Sequence, residues 1–179
     1  MDNSDQSDLA SALTGDGDAY ARIIRRHQQA IARRMLSFTR DKSMVEELTQ
    51  DVFVQAYLGL THYRADAPMG HWLQRIATRV GYAFWKRRAT RKMLPLAAAG
   101  QVAGPQEEPG GEILRMLEQL PPRDRLVLQL LHVEGLNVAE AADLSGWSRT
   151  MVKVQAFRAR KKFKLLIEKA GLSPQGATR

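Results

Sequence analysis

Arg75, Arg79, Tyr82 and Lys86 follow one another at spacings of four, three and four residues, which sets them along one face of a helix. A row of cations with an aromatic ring among them suits a single-stranded nucleic acid. The cations follow the phosphate backbone, and a ring stacks on an unpaired base for ~1–3 kcal/mol. Arg87 extends the basic run. The segment just upstream offers Tyr63, Arg64, Asp66 and His71, groups able to stack on or hydrogen-bond a base turned out of a duplex. Trp72 neighbours the inward Leu73 and Ile76 and reads first as a core plug; Tyr63 admits either role.

A second group, Ser148, Arg149, Thr150, Lys153, Gln155 and Arg158, opens the basic C-terminal segment. There the cations suit phosphates, and Gln reads adenine bidentately where Arg prefers guanine. A third group, Glu46, Glu47, Gln50 and Asp51, has the wrong sign for DNA. It suits a protein partner, or else a solvated helix face with its own Arg contacts. Arg22, Arg25, Arg26, Arg33 and Arg34 read as a solvated or intramolecular face, and His27 as a packed core histidine.

Enzymatic chemistry finds little support. Cys is absent, which removes thiolate nucleophiles, thiolate metal sites and disulfides. His62, Asp66 and His71 share one loop without the i, i+4 pairing of a helical metal site and without a fourth ligand nearby. There is no Gly-rich phosphate loop and no carboxylate pair set against a nucleophile. The expectation is a protein that is not an enzyme and uses no metal, cofactor or small-molecule substrate.

The elements that must carry these groups are helices. From Ala19 to Phe38, Tyr20, Ile24, Ile31, Met35 and Phe38 keep one face, with Asp16 and Asp18 able to cap the start. Ser43-Met-Val-Glu46 has the capping-box spacing and predicts a second helix whose stripe is Val45, Leu48, Val52, Ala56 and Leu60. Residues 61–70 read as a loop. Asp66-Ala-Pro68 suits the start of a third helix running to about Arg91, with Leu73, Ile76, Val80 and Phe84 inward. Residues 95–111 hold three Pro and four Gly and read as a poorly ordered linker. Beyond it, Ile113–Leu120 is stopped by Pro121-Pro122, and a further helix spans Arg123 to Val133. Gly135 then ends it, and Asn137-Val-Ala-Glu140 repeats the capping box. A short helix, Val138–Leu144, the turn Ser145-Gly146-Trp147 and a long helix capped by Ser148 make a helix-turn-helix. The last helix keeps Val152, Ala156, Ala159, Phe163 and Ile167 on one stripe.

Length and charge agree with this division. The 179 residues carry a net charge of +8, with cations blocked at 19–40, 75–92 and 149–164 and five Asp but no cation in 1–18. Separated basic blocks suggest one polyanion touched at several points. No apolar run reaches the ~18 residues of a membrane span, and the acidic start is unlike a signal peptide. A chain free of membrane insertion and acting in the cytoplasm is expected.

Both halves resemble the two-domain bacterial sigma factors of the extracytoplasmic-function (ECF) group. Gly15-Asp16-Gly17-Asp18-Ala19-Tyr20 resembles the opening of that family's region 2, and Val45-Glu46-Glu47-Leu48-Thr49-Gln50-Asp51-Val52-Phe53 the segment it sets on the RNA polymerase clamp. Trp72-Leu73-Gln74-Arg75-Ile76-Ala77 followed by Lys86-Arg87-Arg88 is similar to its promoter-melting helix. Leu120-Pro121-Pro122-Arg123 resembles the start of region 4; Glu134-Gly135-Leu136 and Ala139-Glu140-Ala141-Ala142 lead into its helix-turn-helix, and Val152-Lys153 with Arg158-Ala159-Arg160 match its recognition helix. The chain departs from the pattern at Arg79, commonly Asn there, at Ala83, near which an acidic residue is usual, and at Thr150-Met151 and Val154-Gln155, commonly Gly-Thr and Ser-Arg.

The resemblance implies an all-α protein of two small domains: a region 2-like domain over 1–94 for the polymerase clamp and the −10 element, a flexible linker over 95–111, and a region 4-like helix-turn-helix over 112–179 for the −35 element. It implies core RNA polymerase, promoter DNA and an anti-sigma protein as partners. Tyr63, Arg64, Asp66, His71, Arg75, Arg79, Tyr82, Lys86 and Arg87 would serve the −10 strand. Ser148, Arg149, Thr150, Lys153, Gln155 and Arg158 would serve the −35 duplex, and Glu46, Glu47, Gln50 and Asp51 the polymerase. The 17-residue linker reaches ~56–61 Å when extended, more than the ~34 Å of one DNA turn. The competing expectation is an autonomous helix-turn-helix regulator, which as a rule is a dimer reading symmetric half-sites; the chain lacks a dimerisation heptad.

Overall fold

The computed structural model describes residues 3–93 and 111–171. All regular structure among them is helical, as expected for the all-α class. The chain divides into two compact units, Met1–Phe84 and Trp85–Arg179. The expected linker, apart from Gly111, lies outside the described residues.

The first unit begins with a helix the periodicity does not announce. α1 (Asn3–Leu13) packs on α2 (Gly17–Leu36), and the contact is electrostatic. Arg22 and Arg26 reach Asp8 at 2.7 Å each, and Arg26 reaches Asp5 at 2.9 Å. Both carboxylates are buried. Hydrogen bonds from Arg26 and Arg22 hold the Asp8 carboxyl below the usual carboxylate range. His27 Nε2 lies 3.1 Å from Asp5 Oδ2. The basic face of α2 is therefore in part intramolecular, and His27 is a hydrogen-bonding residue at the α1–α2 seam.

Asp16 caps α2 by accepting from the backbone N–H groups of Asp18 and Ala19. Its core face is Ala19, Tyr20, Ile23, Ile31 and Met35, with Ile23 rather than Ile24 turned inward. α3 (Lys42–Leu58) opens two residues earlier than the capping box suggests, because the Asp41 carboxylate accepts from the backbone N–H groups of Ser43 and Met44. Val45, Leu48, Val52, Ala56 and Leu60 are buried as expected; Leu60 belongs to a short 3₁₀ turn, Leu60–His62.

Pro68 precedes α4 (Met69–Met93), and its carbonyl accepts from His71 and Trp72. Leu73, Ile76 and Val80 are buried and Phe84 is half-buried. The Arg34 guanidinium donates to Thr78 Oγ1 at 3.0 Å, which joins α2 to α4. A Cβ on Gly81 would lie 2.4 Å from the Phe38 ring, so the absence of a side chain there lets the two helices close.

In the second unit α5 (Gly111–Gln119) ends before Pro121, and α6 (Pro122–Leu128) carries Pro122 in its first turn, where its missing N–H costs nothing. A π-helical turn, Gln129–Val133, continues α6. α7 (Val138–Ser145) has the complete capping box of Asn137 and Glu140, and Gly146 at φ 73° ends it in the left-handed conformation. α8 (Arg149–Lys169) is capped by Ser148, whose hydroxyl accepts from Met151 at 3.1 Å. Val152, Ala156 and Ala159 are buried where α6 and α7 pack on α8; Phe163 and Ile167 are half-buried.

Candidate nucleic-acid interface

The loop before α4 and the helices beside it enclose a cavity of about 500 Å³, lined by Gln55, Gly59, His62, Arg64, Asp66, Trp72, Arg75, Ile76 and Arg79. Four groups expected from the sequence, Arg64, Asp66, Arg75 and Arg79, meet here from loop and helix. Trp72 lines the cavity half-buried rather than filling the core. A Cβ on Gly59 would stand in ordinary contact with the indole at 3.7 Å but would crowd the Gln55 carbonyl oxygen at 3.2 Å. Ala65, between Arg64 and Asp66, holds φ 58°, a left-handed conformation that costs a residue with a Cβ roughly 1–2 kcal/mol. Strain of this kind persists where the surroundings impose it, and here it sets the turn that carries both charged neighbours.

Tyr63 takes the bracing role. Its hydroxyl donates to the Ala67 carbonyl at 2.6 Å, and its ring packs on Trp72 at 5.0 Å between centroids, tilted by 45°. Burial, then the charges of Asp5 and Asp66, push its hydroxyl above the usual pKa. His71 and Tyr82 do not line the cavity: His71 is exposed, Tyr82 half-buried, and Lys86 and Arg87 are exposed further along α4. Among the described residues no three His, Asp or Glu cluster as a metal site would require. Gln55, Gly59, His62, Trp72 and Ile76 are the lining residues that sequence reasoning left out as site residues. Gln55 was legible only as part of the polar face of α3.

On α3, Glu46, Glu47 and Gln50 are exposed and Asp51 is half-buried. Beside them runs a second cavity of about 500 Å³ between α2 and α3, lined by Tyr20, Ile24, Gln28, Thr49, Gln50, Phe53, Val54, Tyr57 and Leu58. Val54, Tyr57 and Leu58 are more than half exposed. Their spacing of three and one is itself helical, so a second apolar stripe was present in the sequence, off the core face. Tyr20 and Tyr57 meet edge to face at 5.0 Å. Of the polar group on α3, Gln50 lines this apolar groove, while Glu46, Glu47 and Asp51 lie on the same helix outside its lining.

In the helix-turn-helix, Arg149, Thr150, Lys153 and Arg158 are exposed along α8, and Ser148 is exposed at its start. Gln155 is oriented otherwise. Its amide donates to Asp124 Oδ1 on α6, and Lys162 Nζ donates to Asp124 Oδ2 at 2.6 Å. Asp124 is 1% exposed, so the Gln155 expected to read a base is engaged in holding α8 against α6. Phe157, 68% exposed, and Val154 stand on the outward side of α8; neither was among the expected site residues, although a bulky apolar group off the buried stripe was there to be read. Arg123 lies over the Trp147 ring at 5.7 Å and covers the turn.

Residues 23–91 match the Sigma-70 region 2 family and residues 110–163 the Sigma-70 region 4 family. The chain is similar to the ECF RNA polymerase sigma factor SigF of Caulobacter vibrioides, 30% identical over 86% of this chain and 88% of that one. It is also similar to the RNA polymerase sigma factor CnrH of Cupriavidus metallidurans, 28% identical over 93% and 96%. The solved structure of CnrH in complex with the cytosolic domain of CnrY matches with a TM-score of 0.57 at 27% identity, covering 93% of this chain and 99% of that one. The sigma factor RpoE, solved with the anti-sigma factor NepR from Bartonella quintana, shares the fold at a TM-score of 0.55 and 18% identity, covering 83% of this chain and 96% of that one.

Proposed function

The chain belongs to the ECF RNA polymerase sigma factors, and from that premise we propose how its surfaces divide the work of promoter-specific initiation. The cavity formed by Gln55, the loop around Asp66 and the start of α4 takes a base of the opened −10 strand. Arg75 and Arg79 supply the cations beside it, and Lys86 and Arg87 continue the basic face along α4. The exposed face of α8 enters the major groove of the −35 element, with Arg149, Lys153 and Arg158 toward phosphates and base edges. Residues 1–94 and 112–179 are proposed as the two domains, with 95–111 as the linker between them.

The α2–α3 groove, together with Glu46, Glu47, Gln50 and Asp51 on the same helix α3, binds protein. Exposed apolar surface beside charged groups suits a protein interface, and the charge is wrong for DNA. Core RNA polymerase is the proposed occupant during initiation. An anti-sigma protein is a further proposed partner, since a similar chain is solved in complex with the cytosolic domain of CnrY. No catalytic step is proposed for this chain; phosphodiester chemistry belongs to the polymerase it recruits, and the site of action is the cytoplasm. No helix among the described residues is long and apolar enough to cross a membrane.

The observation that carries this reading is the pairing, in one chain, of a cation-lined cavity on a region 2 match with a capped helix-turn-helix on a region 4 match. Run-off transcription with core polymerase tests it. The protein is expected to confer initiation at promoters that core polymerase alone ignores; duplex binding without polymerase-dependent initiation would instead mark an autonomous regulator.

A further inference from the structure

The cavity before α4 brings together hydrogen-bonding groups of opposite kinds. Asp66 is its single carboxylate, while Arg64, Arg75 and Arg79 present guanidinium forks and Trp72 presents a ring. Of these lining residues, Arg64, Asp66 and Arg79 are solvent-exposed. An ionised carboxylate accepts and never donates, whereas a guanidinium donates and never accepts. The base that satisfies both must offer donors on one edge and acceptors on another.

Guanine does this most fully. Its N1–H and N2 amino group are adjacent donors that match the two oxygens of one carboxylate. Its O6 and N7 are adjacent acceptors that match an Arg fork, the most common specific base contact of that side chain. Cytosine and adenine offer a carboxylate only an amino group, and thymine only its N3–H. A cavity of about 500 Å³ has room for a purine. On the reading of this cavity as the −10 strand site, we propose that it selects guanine, with Asp66 taking N1–H and the N2 amino group and Arg79 taking O6 and N7, above the face of Trp72.

The test uses holoenzyme assembled from core polymerase and the full chain, with bubble DNA whose opened non-template strand is randomised. Recovered strands are expected to carry guanine at one position. At that position inosine, which lacks the N2 amino group, and 7-deazaguanine, which lacks N7, should each bind several-fold more weakly. A lost bidentate contact of this kind corresponds to roughly 5- to 150-fold in discrimination. Asp66→Asn should abolish the difference between guanine and inosine, and Arg79→Ala that between guanine and 7-deazaguanine. Both variants should keep preferences elsewhere in the strand. Strands captured with another base at the position governed by Asp66 and Arg79, or with none preferred, would overturn the guanine assignment and leave strand capture standing. Failure to capture any opened strand would overturn the cavity's assignment to the −10 element as well.

Discussion

A Cβ on Gly81 would meet the Phe38 ring at 2.4 Å, well inside contact distance, and both residues are buried. Gly81→Ala raises helix propensity by about 1 kcal/mol but overpacks the α2–α4 seam, a change that costs about 1–3 kcal/mol. Thermal unfolding is expected to show a lower Tm despite the better helix former. Tyr20 makes a different prediction. Its buried hydroxyl donates to the Phe53 carbonyl at 2.5 Å, and burial pushes its pKa up to about 12 from the ordinary 10. The fold favours the neutral phenol, so this stabilisation is complete below pH 10 and is lost as pH rises toward 12. Denaturation of wild type and Tyr20→Phe should therefore converge over that window, by an amount on the order of 2 kcal/mol. At this scale the sequence reveals residue types and spacing but not partners. Arg75 and Arg79 were legible from their helical spacing. The orientation of Gln155 was not, because Asp124 lies 31 residues away.

Among the elements, α8 depends most on one residue. Asp124 is buried, and both its oxygens are used, by Gln155 and Lys162. Asp124→Ala leaves the Gln155 amide without its acceptor while Lys162, half exposed, turns to water. A loss of about 1–3 kcal/mol is expected, with weakened duplex binding as α8 loosens. Gln155→Ala should act through stability in the same way. Lys153→Ala should leave Tm nearly unchanged, lower duplex affinity and reduce the salt slope by about one. Equal effects of the two on Tm, or a changed base preference in Gln155→Ala alone, would return Gln155 to the DNA face. The helices whose apolar residues recur on a core stripe, α2, α3 and α4, were legible. α1 was not, because two ion-paired carboxylates rather than an apolar stripe hold it to α2. Nor was the true start of α3 legible, since Asp41 and Ser43 both have side chains that can cap and only the fold shows which one does.

For the molecule as a whole, the decisive question is whether the α2–α3 groove works independently of the helix-turn-helix. Glu47 is exposed and Asp51 half-buried on α3, the helix that supplies one wall of that groove, and no ion pair holds either among the described residues. The core face of α3 is made by Val45, Leu48, Val52, Phe53 and Ala56, so Glu47→Lys with Asp51→Lys replaces neither a core residue nor a cap. Substitutions of this kind cost little; ~1 kcal/mol or less is expected, and thermal unfolding checks it. The α7–α8 surface lies in the other unit and should bind duplex DNA as before. If these residues meet polymerase, two reversed charges set like against like at a complementary surface, which costs several kcal/mol and slows encounter. Polymerase binding and promoter-dependent transcription should then fall together by at least ~10-fold, the equivalent of ~1.4 kcal/mol, while duplex binding and Tm hold. Leu58→Ser, on the apolar wall of the groove and 73% exposed, should weaken the same step without any change of charge. A fall in the charge variant alone would mean long-range attraction, not the groove, carries the contact. A fall in neither would move polymerase to another face of the molecule.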